Sequence, residues 1–195
     1  MRQIALPIDA LRPDDGGSLI ITDSNAAIVQ SLADSENWPG RCAILSGSAR
    51  SGKTLLARYF TVKNGGTAID DAETLDDESL FNAWNRAQEE MSHLLLVSSL
   101  PPSRWDIKLP DLKSRLGSAL HLEIGPPDDE LVEHLLQKHL QDRGAALTPE
   151  ALAFVGKRIE RSYSAIENFA REINAAALSE NRAASMSLAK RILGE

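Results

Sequence analysis

The chain has few of the residues that staple small secreted proteins or bind nucleic-acid backbones. Cys42 is the only cysteine among its 195 residues, so a disulfide framework is excluded and a reducing cytoplasm is expected. A single cysteine also argues against a zinc site, and the four histidines show no metal-ligand spacing. The formal net charge of −7 argues against direct nucleic-acid binding, because such binding requires clustered lysine and arginine.

Long apolar runs are absent as well. No segment approaches the length needed to span a membrane, so we expect no membrane association. Pro7 and Asp9 fall where a signal peptide would need an unbroken apolar stretch. The Gly-x-Ser-x-Gly elbow of serine hydrolases is also missing. The composition, 43% hydrophobic and 25% charged, is that of an ordinary globular protein, and we expect it to be cytoplasmic.

One segment of the sequence follows the spacing of a phosphate-binding P-loop. Its members are Gly47, Ser48, Ala49, Arg50, Ser51, Gly52, Lys53 and Thr54. An apolar strand segment precedes it and a helical segment follows, so the loop amides and the first N–H groups of the helix are expected to bind one anion. We expect Lys53 to contact the β- and γ-phosphates and the Thr54 hydroxyl to hold Mg²⁺. The alternative is a Gly/Ser turn that matches by chance.

Short apolar strands alternate with helices before residue 126, and only helices are predicted after it. Strands are expected near 19–21, 42–45, 67–69, 94–98 and 119–124. Between them we expect helices near 24–33, after the P-loop and over 77–91, and a helical turn at 112–116, with Leu80, Trp84, Ala87 and Met91 on one buried face. The later helices are expected near 128–142, 149–160, 164–180 and 186–193. This pattern predicts an α/β fold, a parallel sheet flanked by helices, with a small all-helical lobe.

Two acidic residues end the strand that follows the P-loop helix. Asp70 is positioned to complete Mg²⁺ coordination through water, and Asp71 to orient an attacking water molecule. The alternative is a solvated acidic loop, because more acidic residues follow. At the end of the next strand, Ser98 and Ser99 could hydrogen-bond the γ-phosphate or the attacking water, although serine often simply ends a strand.

Arg115 is the other candidate for chemistry. It lies in the short helical element that leads into the last strand, from which it could project off the edge of the subunit. Arginine stabilises charge on a transferring phosphoryl group because its planar guanidinium is always charged and bidentate. The alternative is a surface arginine paired with a local aspartate.

Together these residues resemble the DnaA family of bacterial AAA+ ATPases, and within it the Hda-type regulatory inactivators of DnaA. The resemblance rests on 23–27, the P-loop, 69–71, 109–116 and the helical lobe, which corresponds to the family's lid. It implies an AAA+ P-loop core at 18–125, a helical lid at 126–195 and an extended segment at 1–17. It also implies ADP or ATP as ligand, while the family's DNA-binding domain has no expected counterpart here.

The resemblance assigns partners to two parts of the chain. Arg115 matches the arginine finger that Hda-like proteins insert into the nucleotide site of DnaA, where it stimulates ATP hydrolysis in trans. The N-terminal segment resembles the peptide with which these proteins bind the sliding clamp, the beta subunit of DNA polymerase III. Its candidate contact residues are Gln3, Ile4, Leu6, Pro7 and Ile8.

The sequence departs from the family pattern at four places. Arg50 replaces a loop glycine, Ser99 replaces an acidic residue of the sensor I region, and Ser164 stands at the sensor II arginine position, for which Arg161 is the candidate substitute. One strand–helix pair is missing before Asp70. These departures favour weak or absent intrinsic ATP hydrolysis. Two alternatives stay open, an autonomous Mg-ATP-dependent ATPase or phosphotransferase and a nucleotide-free adaptor, as does the choice between monomer and homo-oligomer.

Overall fold

The computed structural model describes residues 19–195 and divides them into two compact units. The first holds residue 19, Ala27–Ser48 and Gly52–Ile124, and the second holds Ile20–Ala26, Ala49–Ser51 and Gly125–Glu195. The predicted clamp-binding residues, from Gln3 to Ile8, lie outside the described residues.

A parallel sheet forms the centre of the first unit. Across the described residues it has four strands: β1 (Cys42–Gly47), β2 (Thr67–Ile69), β3 (Leu94–Ser98) and β4 (Leu120–Ile124). Their spatial order is β2-β3-β1-β4, with Cys42 opposite Leu94 and Ala43 opposite Leu120. Every residue of β1 and β3 is buried, as parallel strands covered on both faces require. The predicted parallel sheet flanked by helices is confirmed.

Four helices belong to the sheet-containing part of the chain: α1 (Ala26–Ala33), α2 (Lys53–Asn64), α3 (Asp77–Glu89) and α4 (Pro110–Ser118). On one face of the sheet, helix residues Leu80, Ala87, Leu112 and Leu116 share a core with strand residues Cys42, Ile44, Leu94 and Leu96. Helix α2 lies against β1, β2 and β3, and its Phe60 is fully buried. Because strand side chains alternate between faces, Ala43 and Leu95 point away from the α3–α4 core.

Two glycines form the short connection between α2 and β2. Only Gly65 and Gly66 separate the two elements, so no further strand–helix pair is inserted before Asp70. A Cβ atom at position 66 would lie 2.5 Å from the Phe60 ring and 2.7 Å from the His93 carbonyl oxygen. Glycine is therefore the residue that fits this turn without displacing backbone.

Two sequence predictions for the chain before residue 125 are wrong. Residues 19–22 form no strand, because their polar groups are bound locally by Asn25: its side chain accepts from the Thr22 N–H at 2.9 Å and donates to the Ile20 carbonyl at 2.8 Å. Met91 is 72% exposed rather than buried, because α3 ends at Glu89 and the chain turns with Met91 at positive φ. The helical periodicity stops before this residue.

The second unit contains four further helices: α5 (Asp129–Gln141), α6 (Pro149–Gly156), α7 (Tyr163–Ser179) and α8 (Met186–Leu193). The residue before each helix caps it through its side chain: Asp128, Thr148, Ser162 and Ser185. The helices share an apolar core that includes the fully buried Leu136, Ile166 and Ile173. Among the described helices, none is both long and apolar enough to cross a membrane.

Candidate functional site

The P-loop connects the end of β1 to the start of α2. Gly52 takes a left-handed conformation, φ 86°, at the N-cap of α2, where glycine is favoured because it has no Cβ. Lys53 Nζ donates to the carbonyl oxygens of Gly47 at 2.8 Å and Ser48 at 2.9 Å. The ammonium group is therefore held over the loop by the backbone rather than directed into solvent.

Thr54 and Asp70 lie together, as the sequence predicted for a magnesium site. The Thr54 hydroxyl donates to Asp70 Oδ2 at 2.9 Å, and both residues are exposed. Asp70 directly follows β2, and Thr54 lies in the first turn of α2, so the parallel topology places them side by side. Asp71 has φ 49°, and its N–H donates to Asp70 Oδ1 at 3.1 Å. The Asp71 N–H therefore orients the neighbouring carboxylate.

These residues fit a nucleotide phosphate with Mg²⁺. A hydroxyl and a carboxylate oxygen are hard oxygen donors of the kind that Mg²⁺ takes from proteins when phosphate and water supply its other ligands. The described residues hold no cluster of three or more His, Cys, Asp or Glu that could bind a metal without such a phosphate.

The two serines that end β3 have different surroundings. Ser98 is fully buried, and its hydroxyl bonds both the N–H and the carbonyl of Leu100, so it shapes the turn that follows the strand. Ser99 is exposed, and its N–H donates to Glu73 Oε1 at 2.7 Å. The predicted interaction of Ser99 with a γ-phosphate stays a prediction. Sequence reasoning missed Glu73, which lies in an acidic run with no distinguishing spacing.

Arg115 lies on α4 within a cage of its own chain. Its Nη2 atom is 2.7 Å from Asp111 Oδ2, and its Nη1 donates to Asn85 Oδ1 at 2.9 Å. The guanidinium carbon lies 4.1 Å from the Trp84 ring centroid and 4.6 Å from that of Phe81. The side chain is 26% exposed. The local aspartate pairing that the sequence offered as an alternative is thus present, and the finger role stays a prediction.

Sequence spacing predicts one polar contact of the Arg115 cage but not the other. Asp111 and Arg115 stand four residues apart, a spacing that predicts an ion pair on a helix. Asn85 is 30 positions away and belongs to another helix, so no local pattern connects it to Arg115. Only the packing of α3 against α4 brings the amide to the guanidinium.

Arg50 belongs to the second unit and has positive φ, 67°, at the position where the family resemblance expects glycine. Its Nε atom lies 3.1 Å from Glu167 Oε2, and Arg143 Nη2 lies 3.7 Å from the other carboxylate oxygen. Burial lowers the pKa of the neighbouring His139; the charge of Arg143 lowers it further, while Glu167 opposes the shift. Glu167, which the sequence reasoning did not single out for a role, is thus shared by two arginines.

Arg161, the proposed substitute for a sensor II arginine, is bound within its own unit. Its Nη2 lies 2.5 Å from Asp129 Oδ1 at the start of α5. Its buried Nη1 has no hydrogen-bond partner among the described residues.

Cys42 offers no nucleophile, because burial raises the pKa of its thiol to about 12.

The chain resembles DnaA in sequence over part of its length. No protein-family model matches it. The chromosomal replication initiator protein DnaA of Cutibacterium acnes is 25% identical over 130 residues, which is 64% of this chain. The match covers 26% of that relative, so the chain corresponds to about a quarter of its length.

Solved structures reproduce the fold more completely. Domain III of Thermotoga maritima DnaA superposes with a TM-score of 0.71 at 16% identity, covering 90% of this chain and 92% of that one. AMPPCP-bound DnaA from Aquifex aeolicus gives 0.62 at 14% identity, with 83% and 65% coverage. A Thermotoga maritima RuvB variant gives 0.65 at 12% identity, with 88% and 68% coverage. The chain therefore has the AAA+ fold that DnaA domain III and RuvB share.

Proposed function

We propose that the chain is a DnaA-related regulator of replication initiation that binds an adenine nucleotide and acts on DnaA. In this proposal it is cytoplasmic, ADP or ATP occupies the P-loop, and Thr54 and Asp70 hold Mg²⁺. The observation that carries the nucleotide site is the contact between the Thr54 hydroxyl and Asp70 Oδ2 at 2.9 Å. A chance Gly/Ser turn gives no reason for a carboxylate from another strand to meet this hydroxyl.

The nucleotide site is tested by binding. Lys53→Ala removes the cation nearest to the loop carbonyls, and we expect the affinity of the full chain for Mg-ADP and Mg-ATP to fall at least about tenfold, because a charge-assisted contact is worth about 1.5–3 kcal/mol. The matched control is Lys63→Ala, which removes an exposed lysine from the last turn of the same helix. Calorimetry measures both. Equal affinity in the two variants would refute the P-loop assignment.

Arg115 would act on the nucleotide of a neighbouring DnaA molecule rather than on the chain's own. A guanidinium has five N–H donors, and the cage uses one nitrogen for Asp111 and another for Asn85. Donors therefore remain for the oxygens of a phosphoryl group in the transition state. An arginine supplied in this way raises hydrolysis roughly 10³–10⁵-fold, so one side chain can carry the activity.

This role is tested by DnaA-catalysed ATP hydrolysis in the presence of the chain and a DNA-loaded clamp. Arg115→Ala should abolish the stimulation while leaving clamp binding unchanged. Arg104→Ala, an exposed arginine in the loop before α4, is the control and should stimulate normally. Arg115→Lys should recover little, because an ammonium lacks the bidentate geometry. Normal stimulation by Arg115→Ala would reject the finger.

Clamp binding is proposed for the N-terminal segment from its sequence alone. A proline biases the residue before it toward an extended conformation, and Leu6 precedes Pro7 in the sequence. In this proposal Leu6 and Ile8 enter an apolar pocket of the clamp, and Gln3 hydrogen-bonds at the edge of that pocket. Deleting residues 1–8 should remove binding to the beta clamp and leave the circular dichroism spectrum of the core intact. Retained affinity in a pull-down or by surface plasmon resonance would assign clamp binding elsewhere.

An autonomous ATPase is the second candidate, and the position of Asp71 favours it. This carboxylate follows the magnesium candidate Asp70, and its backbone is held at φ 49°, the kind of strain that persists at functional sites. A turnover assay on the isolated chain distinguishes the two proposals. Hydrolysis that disappears in Asp71→Asn while nucleotide still binds would support the autonomous enzyme over the regulator.

A further inference from the structure

We propose that a groove on the first unit binds a basic segment of a partner protein. The groove has a volume of about 790 Å³ and runs between the turn after β2, the start of α3 and the loop before α4. We call it the acidic groove. It is separate from the Thr54–Asp70 pair and has no part in the proposed nucleotide chemistry.

Apolar side chains form one part of the groove lining, which we call its floor. It is built from Leu75, Phe81, Ile107 and Leu109. Leu75 is 37% exposed and Leu109 is 44% exposed, although most large apolar side chains of this unit are buried. These exposed leucine side chains are available to make apolar contacts with a bound segment.

Acidic side chains form another part of the groove lining, which we call its rim. Its carboxylates come from Glu73, Asp76, Asp77, Glu78 and Asp106. Lys108 is the one cation among the lining residues. Its Nζ atom lies 3.7 Å from Asp106 Oδ2, and the pair is weak because the two side chains are 80% and 91% exposed. Five carboxylates against one lysine give the groove a negative potential that attracts cations and repels nucleic-acid phosphates.

Hydrogen bonds hold together the elements that line the acidic groove. Asp77 Oδ2 accepts from the N–H groups of Lys108 at 2.8 Å and Leu109 at 2.7 Å, which ties the loop before α4 to the start of α3. Asp76 caps α3 by accepting from the Ser79 N–H at 2.7 Å. A groove that is held open before binding needs little reorganisation, so more of the contact free energy contributes to affinity.

Glu73 contributes one of the five carboxylates that line the acidic groove. One carboxylate oxygen accepts from the Ser99 N–H, while the other is buried and has no hydrogen-bond partner among the described residues. A buried carboxylate oxygen without a donor is uncommon in folded proteins. A lysine or arginine in the groove would meet the negative charge of Glu73 together with those of the other four carboxylates.

Charge complementarity selects the occupant. A second copy of this chain, bound through the same groove by two-fold symmetry, would place two acidic rims against each other. The fitting occupant is a segment of another protein with apolar side chains on one face and lysine or arginine on the other. Phe81 lines the groove, and its ring centroid lies 4.6 Å from the Arg115 guanidinium carbon. This segment would therefore bind next to the proposed finger.

The test uses the full chain and a fluorescein-labelled amphipathic peptide of twelve residues, with leucine on one face and lysine on the other. The double variant Leu75→Ser and Leu109→Ser removes apolar floor, and Glu78→Lys reverses one rim charge. We expect each to weaken peptide binding, measured by fluorescence anisotropy, at least about fivefold to tenfold. The glutamate version of the peptide should bind at least about tenfold more weakly than the lysine version.

Matched controls separate the groove from general acidity. Val62→Ser removes an exposed apolar residue from α2, and Glu89→Lys makes the same charge change at the far end of α3. Both should bind the lysine peptide like the parent chain. Equal weakening by the controls, or no binding by the parent below about 1 mM, overturns the proposal. So does a dimer in light scattering that Leu75→Ser and Leu109→Ser dissociate, because a second copy would then occupy the groove.

Discussion

At the scale of single residues, the P-loop carries a strained arginine. Arg50 has φ 67°, a conformation that costs a residue with a Cβ of the order of 1 kcal/mol or more. Its pairing with Glu167 offsets little of this cost, because the Arg50 side chain is 67% exposed and exposed ion pairs contribute roughly 0–1 kcal/mol. The ion pair with Glu167 therefore does not account for an arginine at this position of the loop.

A pair of substitutions isolates the strain. Arg50→Ala removes the ion pair and keeps a Cβ, whereas Arg50→Gly removes both the pair and the steric penalty. We expect the glycine variant to be more stable than the alanine variant by about 1 kcal/mol, measured by urea unfolding. The same comparison at Arg58, an exposed position within α2, should reverse the order, because glycine destabilises a helix interior. An alanine variant as stable as the glycine variant would show that position 50 is unstrained.

Arg115 contributes to stability whatever its role in trans. Arg115→Ala removes an ion pair and stacking on two aromatic rings, and we expect the free energy of unfolding to fall by about 1–2 kcal/mol. Arg86→Ala, an exposed arginine on α3, should change it by less than about 0.5 kcal/mol. Denaturant titration of both variants checks this. An unchanged stability for Arg115→Ala would mean that the cage does not form in solution.

At the scale of elements, the capping residue at the start of α5 leads us to expect that the stability of the fold depends on pH. Burial raises the pKa of Asp128, but hydrogen bonds from the Leu131 and Ser24 N–H groups and the Thr22 hydroxyl outweigh it, and the net pKa is lowered. A lowered pKa in the folded state stabilises the fold above the unfolded-state pKa, near 3.9, and this stabilisation is lost as pH falls through the folded-state pKa.

Asp128→Asn tests this dependence because asparagine still caps a helix but does not titrate. We expect the variant to be less stable than the parent at pH 7, and the difference to shrink as pH falls through the folded-state pKa of Asp128. Glu160→Gln, at an exposed position after α6, is the control and should follow the parent curve. Urea unfolding at several pH values measures it. A difference that is constant with pH would exclude titration of Asp128 as the cause.

The sequence predicts well those elements whose own residue pattern determines their structure. The strands of the sheet core are continuous apolar runs, and the Thr54–Asp70 pair follows from the order of P-loop, helix, strand and acid. The strand predicted at 19–21 fails because Asn25 satisfies its backbone locally. The Asn85–Arg115 contact has no sequence signal, since it depends on how α3 packs against α4.

At the scale of the whole molecule, the segment Gly125–Glu195 has a core of its own. Its buried side chains include Leu136, Ile166 and Ile173, and each of its four helices begins with a side-chain cap. A domain of this size buries only about 60% of the surface that its unfolded chain exposes. We therefore propose that it folds on its own but with a small stability, of about 3–5 kcal/mol.

A fragment of residues 125–195 tests this independence. Cooperative loss of its helical circular dichroism signal in urea is the expected result. Ile166→Ala should leave the fragment largely unfolded, because a cavity at a fully buried position costs about 2–5 kcal/mol, comparable to the whole stability. Leu178→Ala removes a side chain that is 72% exposed and should leave the transition unchanged. A gradual, non-cooperative melt of the parent fragment would mean that these helices depend on the rest of the chain for their fold.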